Sequence, residues 1–168
     1  GKNLEKAFIR SPVKFPRVTS KFQLKRFHPV LKINRPHKGV DYGGRLNTPI
    51  MSTGSGTIIH RGRKGGFGNA VIVDHGQGYK TLYAHMNKFR KNQKVGTFVK
   101  QSEVIGYMGK TGVATGTHLH YELTINGKHK NVLKLKLPDG KPVKDLNKFN
   151  KFKNNIFDLM GINNESKK

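Results

Sequence analysis

Apolar and polar residues alternate with a period of two along much of the first 138 residues, in short runs separated by glycine-containing turns. This period places every second side chain on the same face, which is typical of half-buried strands and not of helices. The runs are HKGVDYGG (37–44), GTIIHRG (56–62), NAVIVDHG (69–76), YKTLYAHM (79–86), EVIGYMG (103–109) and HLHYELTI (118–125). The Asn126-Gly127 pair adds a strong hairpin signal after the last run. No helical period of useful length occurs before residue 140, so the pattern predicts a mostly antiparallel all-β fold.

The pattern divides the chain into three segments. Residues 1–14 are basic and weakly patterned, and we expect an N-terminal arm there. Residues 15–140 hold the strand-like runs and predict one domain, a small sandwich or open barrel. In residues 141–168 the composition becomes rich in lysine and asparagine, with apolar residues loosely at helical spacing. We expect this basic C-terminal tail either to form a helix packed on the domain or to remain mobile.

The charge is strongly unbalanced, with 33 lysines and arginines against 9 acidic residues and a formal net charge of +24. Such an excess predicts either a solvated basic surface or an anionic partner. The candidate partners are nucleic acid, an acidic membrane surface and an anionic polymer such as a cell wall, and charge alone does not choose among them. An RNP-like or zinc-finger pattern, which would favour nucleic acid, does not occur.

The absence of certain residues and patterns narrows the possible chemistry. The chain has no cysteine, which excludes a disulfide scaffold, a thiolate metal ligand and a cysteine nucleophile. No apolar run approaches the roughly 20 residues that a membrane-spanning helix needs. The chain begins with Gly1 and shows no signal-peptide pattern. We therefore expect a processed or cloned fragment, from which an export signal, an anchor or a preceding regulatory or wall-binding segment is missing.

Five residues in three short motifs could hold a metal or move protons. GTHLHYEL (116–123) places His118 and His120 on the same face of a strand. HKGVD places His37 and Asp41 four residues apart, on one face if the whole segment is extended. Imidazole nitrogens and carboxylate oxygens are the zinc ligands open to a chain without thiols. Each motif alone is common without a metal, but the two together in a chain with nine acidic residues are more specific; His85, at the end of TLYAH, is a fifth candidate.

The motifs HKGVD, YAH and GTHLHYEL, in this order, resemble the three signatures of the lysostaphin/LytM-type zinc metallopeptidases. The similarity covers roughly residues 12–138, because the blocks between the motifs also match. Within that family, the chain is most similar to the murein D,D-endopeptidases of Gram-negative bacteria. The glycyl-glycine-cleaving type is a poorer match.

The resemblance implies one zinc ion per chain in a groove, with His37, Asp41 and His120 as its ligands. It also implies that His85 and His118 are catalytic histidines. Zinc would acidify a water molecule and polarise the scissile carbonyl. Since the helical His-Glu-x-x-His motif is absent, a neutral imidazole must take the proton from water. We assign this task jointly to the two catalytic histidines.

The remaining histidines receive weaker interpretations. His28, in RFHP, matches a block near the first motif and is a candidate for the wall of the substrate groove. His60, His75 and His129 are expected to be ordinary surface residues.

The resemblance therefore implies a zinc endopeptidase that hydrolyses peptide cross-links of bacterial peptidoglycan, with the D-alanyl–meso-diaminopimelate bond as the expected target. It would act in the periplasm or cell envelope of a Gram-negative bacterium, with peptidoglycan and not nucleic acid as its partner. Three alternatives stay open: a non-catalytic binding or activator module, a basic nucleic-acid-binding β domain, and cleavage of a glycine bridge or a D-Ala–D-Ala bond. A nucleic-acid-binding domain would explain the charge but not the histidines.

Overall fold

The computed structural model describes residues 7–24 and 36–136, together with the backbone of residues 27–28 and 33–34. Its strands are β1 (Val18–Ser20), β2 (Phe27–His28), β3 (Ile33–Asn34), β4 (Val40–Gly43), β5 (Pro49–Met51), β6 (Gly56–Arg63), β7 (Asn69–Gly76), β8 (Tyr79–Phe89), β9 (Phe98–Val99), β10 (Val104–Met108), β11 (His118–Ile125) and β12 (Lys128–Lys130). The helical content of these ranges is one 3₁₀ turn, Gly65–Phe67. None of the helical structure in the described residues is long and apolar enough to cross a membrane. The predicted C-terminal tail (141–168) and residues 1–6 lie outside the described residues.

Ten of the strands form one antiparallel sheet, and β2 and β3 form a separate two-stranded sheet. The order along the main sheet is β1-β4-β11-β8-β7-β6-β9, with β10 joined to β5 and β8 and with β12 joined to β11. The path ends at β1 on one side and at β9 on the other, so the sheet is open. The prediction of a mostly antiparallel all-β domain is confirmed.

Strand β8 pairs with different partners along its length. Its first part, up to Ala84, pairs with β11, whereas its last part, from Met86 onward, pairs with β10. His85 lies at the junction and has a φ of 60°, in the left-handed region that non-glycine residues seldom adopt. The change of partner along β8 therefore coincides with a residue in an unusual backbone conformation.

The inner face of the sheet forms the core. The alternation read from the sequence places Tyr83, Leu119 and Tyr121 there with almost no solvent exposure. Their neighbours in this cluster include Val40, Tyr42, Ile50, Ile58, Val71, Val73, Met86, Val99, Ile105 and Met108. The buried hydroxyl of Tyr83 accepts from the Thr53 backbone N–H at 2.9 Å and lies 3.1 Å from the Thr53 hydroxyl, which is 2.9 Å from the Tyr121 hydroxyl. The core thus combines apolar packing with one satisfied polar network.

The described part of the N-terminal segment lies on the domain. Phe8 and Val13 are buried at 6% and 3% exposure. The backbone N–H of Ile9 donates to the Thr53 carbonyl, and the N–H of Met51 donates to the Pro12 carbonyl, each at 2.8 Å. Residues 7–14 therefore share contacts with the sheet, although their composition predicted an arm.

The hairpin between β11 and β12 follows the prediction from Asn126 and Gly127. Their φ angles are 50° and 76°, and two positive φ angles in succession are the signature of a type I′ turn. The turn sets the register in which Thr124 faces His129. This register places the side chains of β12 beside those of β11.

Candidate metal centre and active site

Three of the predicted site residues converge at one point. His37, Asp41 and His120 each offer a ligand atom, and these atoms lie within 4.8 Å of one another. Asp41 Oδ1 is 3.1 Å from His37 Nε2 and 2.8 Å from His120 Nδ1, and these two nitrogens are 3.2 Å apart. Two imidazole nitrogens and one carboxylate oxygen thus surround a common centre.

The pairing of β4 with β11 brings these residues together. His120 lies directly opposite Asp41 in this antiparallel pair, so their side chains leave the sheet on the same face. Gly39, between His37 and Asp41, allows the close approach of the two segments. A Cβ at this position would lie 2.5 Å from the Tyr121 carbonyl oxygen and 2.7 Å from His120 Cε1. The glycine of HKGVD is therefore required by space.

In both His37 and His120, the ring nitrogen that faces away from Asp41 has its own hydrogen-bond partner. His37 Nδ1 lies 2.8 Å from the Lys21 carbonyl oxygen, and because a carbonyl only accepts, this nitrogen carries a proton. His120 Nε2 lies 3.0 Å from Glu122 Oε1. These bonds leave Nε2 of His37 and Nδ1 of His120 facing Asp41, as ligands of a shared cation require.

The donor set fits a metal such as zinc. Imidazole nitrogen and carboxylate oxygen are ligand types that Zn²⁺ accepts, and three protein ligands are characteristic of catalytic zinc sites. Facing imidazole nitrogens at 3.2 Å with a carboxylate between them also favour a positive charge at the centre. The residues present therefore suit the group that the motifs predict.

The charges at the centre reinforce one another. Burial alone would raise the pKa of Asp41, but hydrogen bonds and charge from His120 and His37 hold that pKa well below its usual value. Burial opposes the protonation of His120, yet hydrogen bonds to Asp41 and Glu122 raise its pKa to about 9. The lowered pKa of Asp41 favours its ionised carboxylate, the form in which a carboxyl group can bind a cation.

The other two predicted residues, His85 and His118, border the same centre. Their ring centroids are 4.7 Å apart, and His118 Nε2 is 4.0 Å from Asp41 Oδ1. His85 Nδ1 lies 2.7 Å from the Thr111 carbonyl oxygen, and His118 Nδ1 lies 2.8 Å from that of Gly116. Both rings therefore donate through Nδ1 and keep Nε2 available. Burial and the neighbouring imidazoles lower the pKa of His85, although the Thr111 carbonyl opposes this shift.

The site opens into a cavity of about 540 Å³. Its lining includes the five predicted site residues together with Glu122 and Phe67. The ring centroid of Phe67 lies 5.7 Å from that of His120. Val113, which is 75% exposed, contributes an apolar rim. The other lining residues are Pro36, Lys38, Gly66 and Thr115. Gly66 and Phe67 belong to the glycine-rich loop KGGFGN (64–69).

Thr111 lies in the loop 109–117, and its hydroxyl connects this loop to strands β7 and β8. Its hydroxyl accepts from the Asn69 N–H at 3.0 Å and donates to the Met86 carbonyl at 2.7 Å. The N–H of Val113 donates to the Gly66 carbonyl at 2.8 Å. A side chain at Gly68 would collide with the Thr111 backbone. The loop that orients His85 is thus held by specific bonds.

Two residues near the centre were not predicted from the sequence. Glu122 accepts from His120 and also lies 2.9 Å from His129 Nε2 through its other oxygen. Its position two residues after His120, on the same strand face, was the available signal. His129 was expected to be an ordinary surface residue, but its side chain is 29% exposed and paired with Glu122.

Two other histidines were also interpreted from the sequence. His75 was also expected at the surface, but it bonds to the Ser55 carbonyl and the Thr81 hydroxyl and packs edge-on against Phe8. Its imidazole is therefore part of the packing. The side chain of His28, the candidate for the groove wall, lies outside the described residues.

Comparison with known proteins identifies the family. Residues 35–132, more than half of the chain, match the sequence profile of peptidase family M23. The chain belongs to peptidase family M23. The resemblance drawn from the three motifs is confirmed.

Two curated bacterial proteins are similar to this chain over most of its length. The DD-carboxypeptidase/endopeptidase Mpg of Neisseria meningitidis is 45% identical over 131 residues, which cover 78% of this chain and 30% of that protein. The peptidoglycan DD-endopeptidase ShyC of Vibrio cholerae is 42% identical over 138 residues, covering 82% of this chain and 31% of that protein. This chain therefore spans about 30% of the length of the curated relatives that it matches.

A solved structure shares the M23 fold. The crystal structure of a zinc-containing peptidase from Vibrio cholerae has a TM-score of 0.75 and 37% identity, over 82% of this chain and 43% of that chain. Membership of a metallopeptidase family and this neighbour imply a metal in the M23 domain described here. The cluster of His37, Asp41 and His120 is the group of residues in the described structure that suits it.

Proposed function

We propose that this M23 domain is a zinc-dependent endopeptidase that cleaves the peptide cross-links of peptidoglycan. The observation that carries the proposal is the convergence of three metal-type donors with two further imidazoles in one groove. His37, Asp41 and His120 would hold the ion, one per chain. When bound, zinc supplies Lewis acidity, which polarises a carbonyl and makes water a better nucleophile at neutral pH.

Peptide hydrolysis also needs a base and a donor from the protein. The base takes a proton from the attacking water, and the donor stabilises the carbonyl oxygen as it becomes negative. Nε2 of His85 and Nε2 of His118 suit both tasks, because each ring is anchored through Nδ1 to a backbone carbonyl. We assign the base to this pair jointly, and the donor to the ring that is protonated. The same ring can then pass a proton to the departing amine.

The proposed substrate class rests on the relatives and on the charge. Two relatives over 40% identical are named as a DD-carboxypeptidase/endopeptidase and a peptidoglycan DD-endopeptidase. A net charge of +24 would concentrate the domain on an anionic wall. We therefore propose the D-alanyl–meso-diaminopimelate bond as the target, and the periplasm or cell envelope of a Gram-negative bacterium as the location.

Digestion of purified Gram-negative peptidoglycan tests the proposal. The protein is loaded with zinc, its metal content is measured, and the products are identified by mass spectrometry. We expect about one zinc per chain and conversion of cross-linked dimers to monomers, lost after chelation and restored by zinc. One zinc without cleavage would contradict the enzymatic assignment. Release of terminal D-alanine alone would contradict the assigned bond, as would cleavage of a glycine-bridged peptidoglycan in a parallel digestion while the Gram-negative peptidoglycan stays intact.

A further inference from the structure

Glu122 links His120 to a second imidazole, that of His129, which lies outside the groove. Its Oε1 lies 3.0 Å from His120 Nε2, and its Oε2 lies 2.9 Å from His129 Nε2. We infer that Glu122 and His129 are positioning residues which fix His120 as a metal ligand; this inference rests on the metal site of the proposed function. We call these three residues the His120–Glu122–His129 triad.

The residues of this triad lie on two neighbouring strands. Glu122 follows His120 by two residues on β11, so both side chains lie on the same face. His129 lies on β12, opposite Thr124, and reaches across to Glu122. Glu122 is 8% exposed. Each of its oxygens is occupied by a different imidazole, so rotation of the carboxylate would break two hydrogen bonds.

The choice of partners points to a role beyond charge neutralisation. A buried carboxylate needs compensation, and the chain offers 33 lysines and arginines. Both oxygens of Glu122 nevertheless pair with imidazoles, and one of these imidazoles faces the metal centre. A lysine would neutralise the charge equally well, but it would not orient the ring of His120.

The chemistry of metal ligation explains how the triad would assist His120. His120 can give its Nδ1 lone pair to a cation only when its proton lies on Nε2. A carboxylate that accepts from Nε2–H holds that tautomer and makes Nδ1 a stronger donor. His37 has only a neutral carbonyl, that of Lys21, in the corresponding place. Of the two imidazoles, His120 therefore has the hydrogen-bond partner that strengthens its metal-binding nitrogen more.

Zinc affinity of the metal-free full chain, measured by competition with a chromophoric chelator at neutral pH, tests this assignment. We expect E122Q to bind zinc about 10- to 100-fold more weakly, the usual cost of losing such a partner. H129A should lose affinity in the same direction by a smaller factor. H129Q, whose amide can still donate to Glu122, should recover part of it. E103Q is the matched control: Glu103 also accepts two protein N–H groups, from Gln93 and Lys100, away from the centre.

A second readout follows the proton on His120 directly. In the zinc-loaded wild type, ¹⁵N-resolved NMR should show the proton of His120 on Nε2, protected from exchange. In E122Q we expect faster exchange of this proton, while the thermal transition still shows a folded protein. If E122Q does not fold, H129A and the wild-type spectrum decide the question.

Each result bears on the inference separately from the proposed function. Wild-type affinity in both E122Q and H129A would overturn it, as would a wild-type His120 without a proton on Nε2. An effect of E122Q without one of H129A would remove His129 from the assignment. Peptidoglycan cleavage is not part of this measurement, so failure of the proposed substrate would leave the affinity result intact.

Discussion

His85 and His118 face each other with their ring centroids 4.7 Å apart, and each turns its Nδ1 toward the carbonyl oxygen of a neighbouring loop. They come from different strands, β8 and β11. The matched anchoring presents both Nε2 atoms to one groove. On this pairing we propose a different role for His85 and His118 from that of the three candidate metal ligands.

Substitution of His120 and of His118 should have different consequences. H120A removes one of three candidate ligands, so we expect metal and activity to be lost together. H118A leaves the three ligands in place, so it should keep most of the metal while kcat falls by about 10²- to 10⁴-fold. Metal content and turnover measured on the same preparations check this. A fully active H118A would show that the two histidines have been assigned the wrong roles.

The backbone at His85 makes a prediction about stability. Its φ of 60° favours glycine over any residue with a Cβ. H85G and H85A both remove the imidazole, so both should be inactive. The left-handed conformation costs a non-glycine residue about 1–2 kcal/mol, and we expect H85G to be more stable than H85A by about 1 kcal/mol. Urea unfolding of the two variants measures the difference, and a more stable H85A would contradict the argument.

The hydroxyl of Thr111 should matter for both stability and activity. T111V keeps the shape but removes the acceptor of the Asn69 backbone N–H and one of the two donors to the Met86 carbonyl, which the Asn69 side-chain amide also reaches at 3.2 Å. We expect a loss of about 1–2 kcal/mol and a fall in kcat, because the same loop orients His85. T111S retains the hydroxyl and is the control. Equal activity of T111V and T111S would mean that the hydroxyl does not position the loop 109–117, which orients His85.

Two buried tyrosines provide a matched pair for the core network. The hydroxyl of Tyr83 serves the backbone N–H of Thr53 as well as two side-chain hydroxyls, whereas that of Tyr121 meets only the Thr53 hydroxyl among the contacts described here. Y83F should therefore cost about 1–3 kcal/mol, since it leaves a buried N–H without an acceptor. Y121F should cost less. Chemical denaturation of both variants tests the order, and the reverse order would refute this account of the network.

The local pattern was sufficient to predict the class of fold. Period-two alternation identified the long strands, and the Asn126-Gly127 pair identified the last hairpin, because both depend on residues close in sequence. Residues 7–14 were harder to interpret. Their burial depends on contacts of Phe8 and Val13 with distant strands, which composition does not encode.

The sequence by itself also determined that His118 and His120 share a face, and its three motifs identified the family. Only the tertiary structure decided that His120 lies opposite Asp41, that β8 changes its pairing partner at His85, and that His129 pairs with Glu122. The physical reason is that pairing register and strand partners are set by contacts between distant segments. The same holds for the nitrogen that each imidazole presents, because carbonyls and carboxylates from other parts of the fold hold the opposite side of the ring.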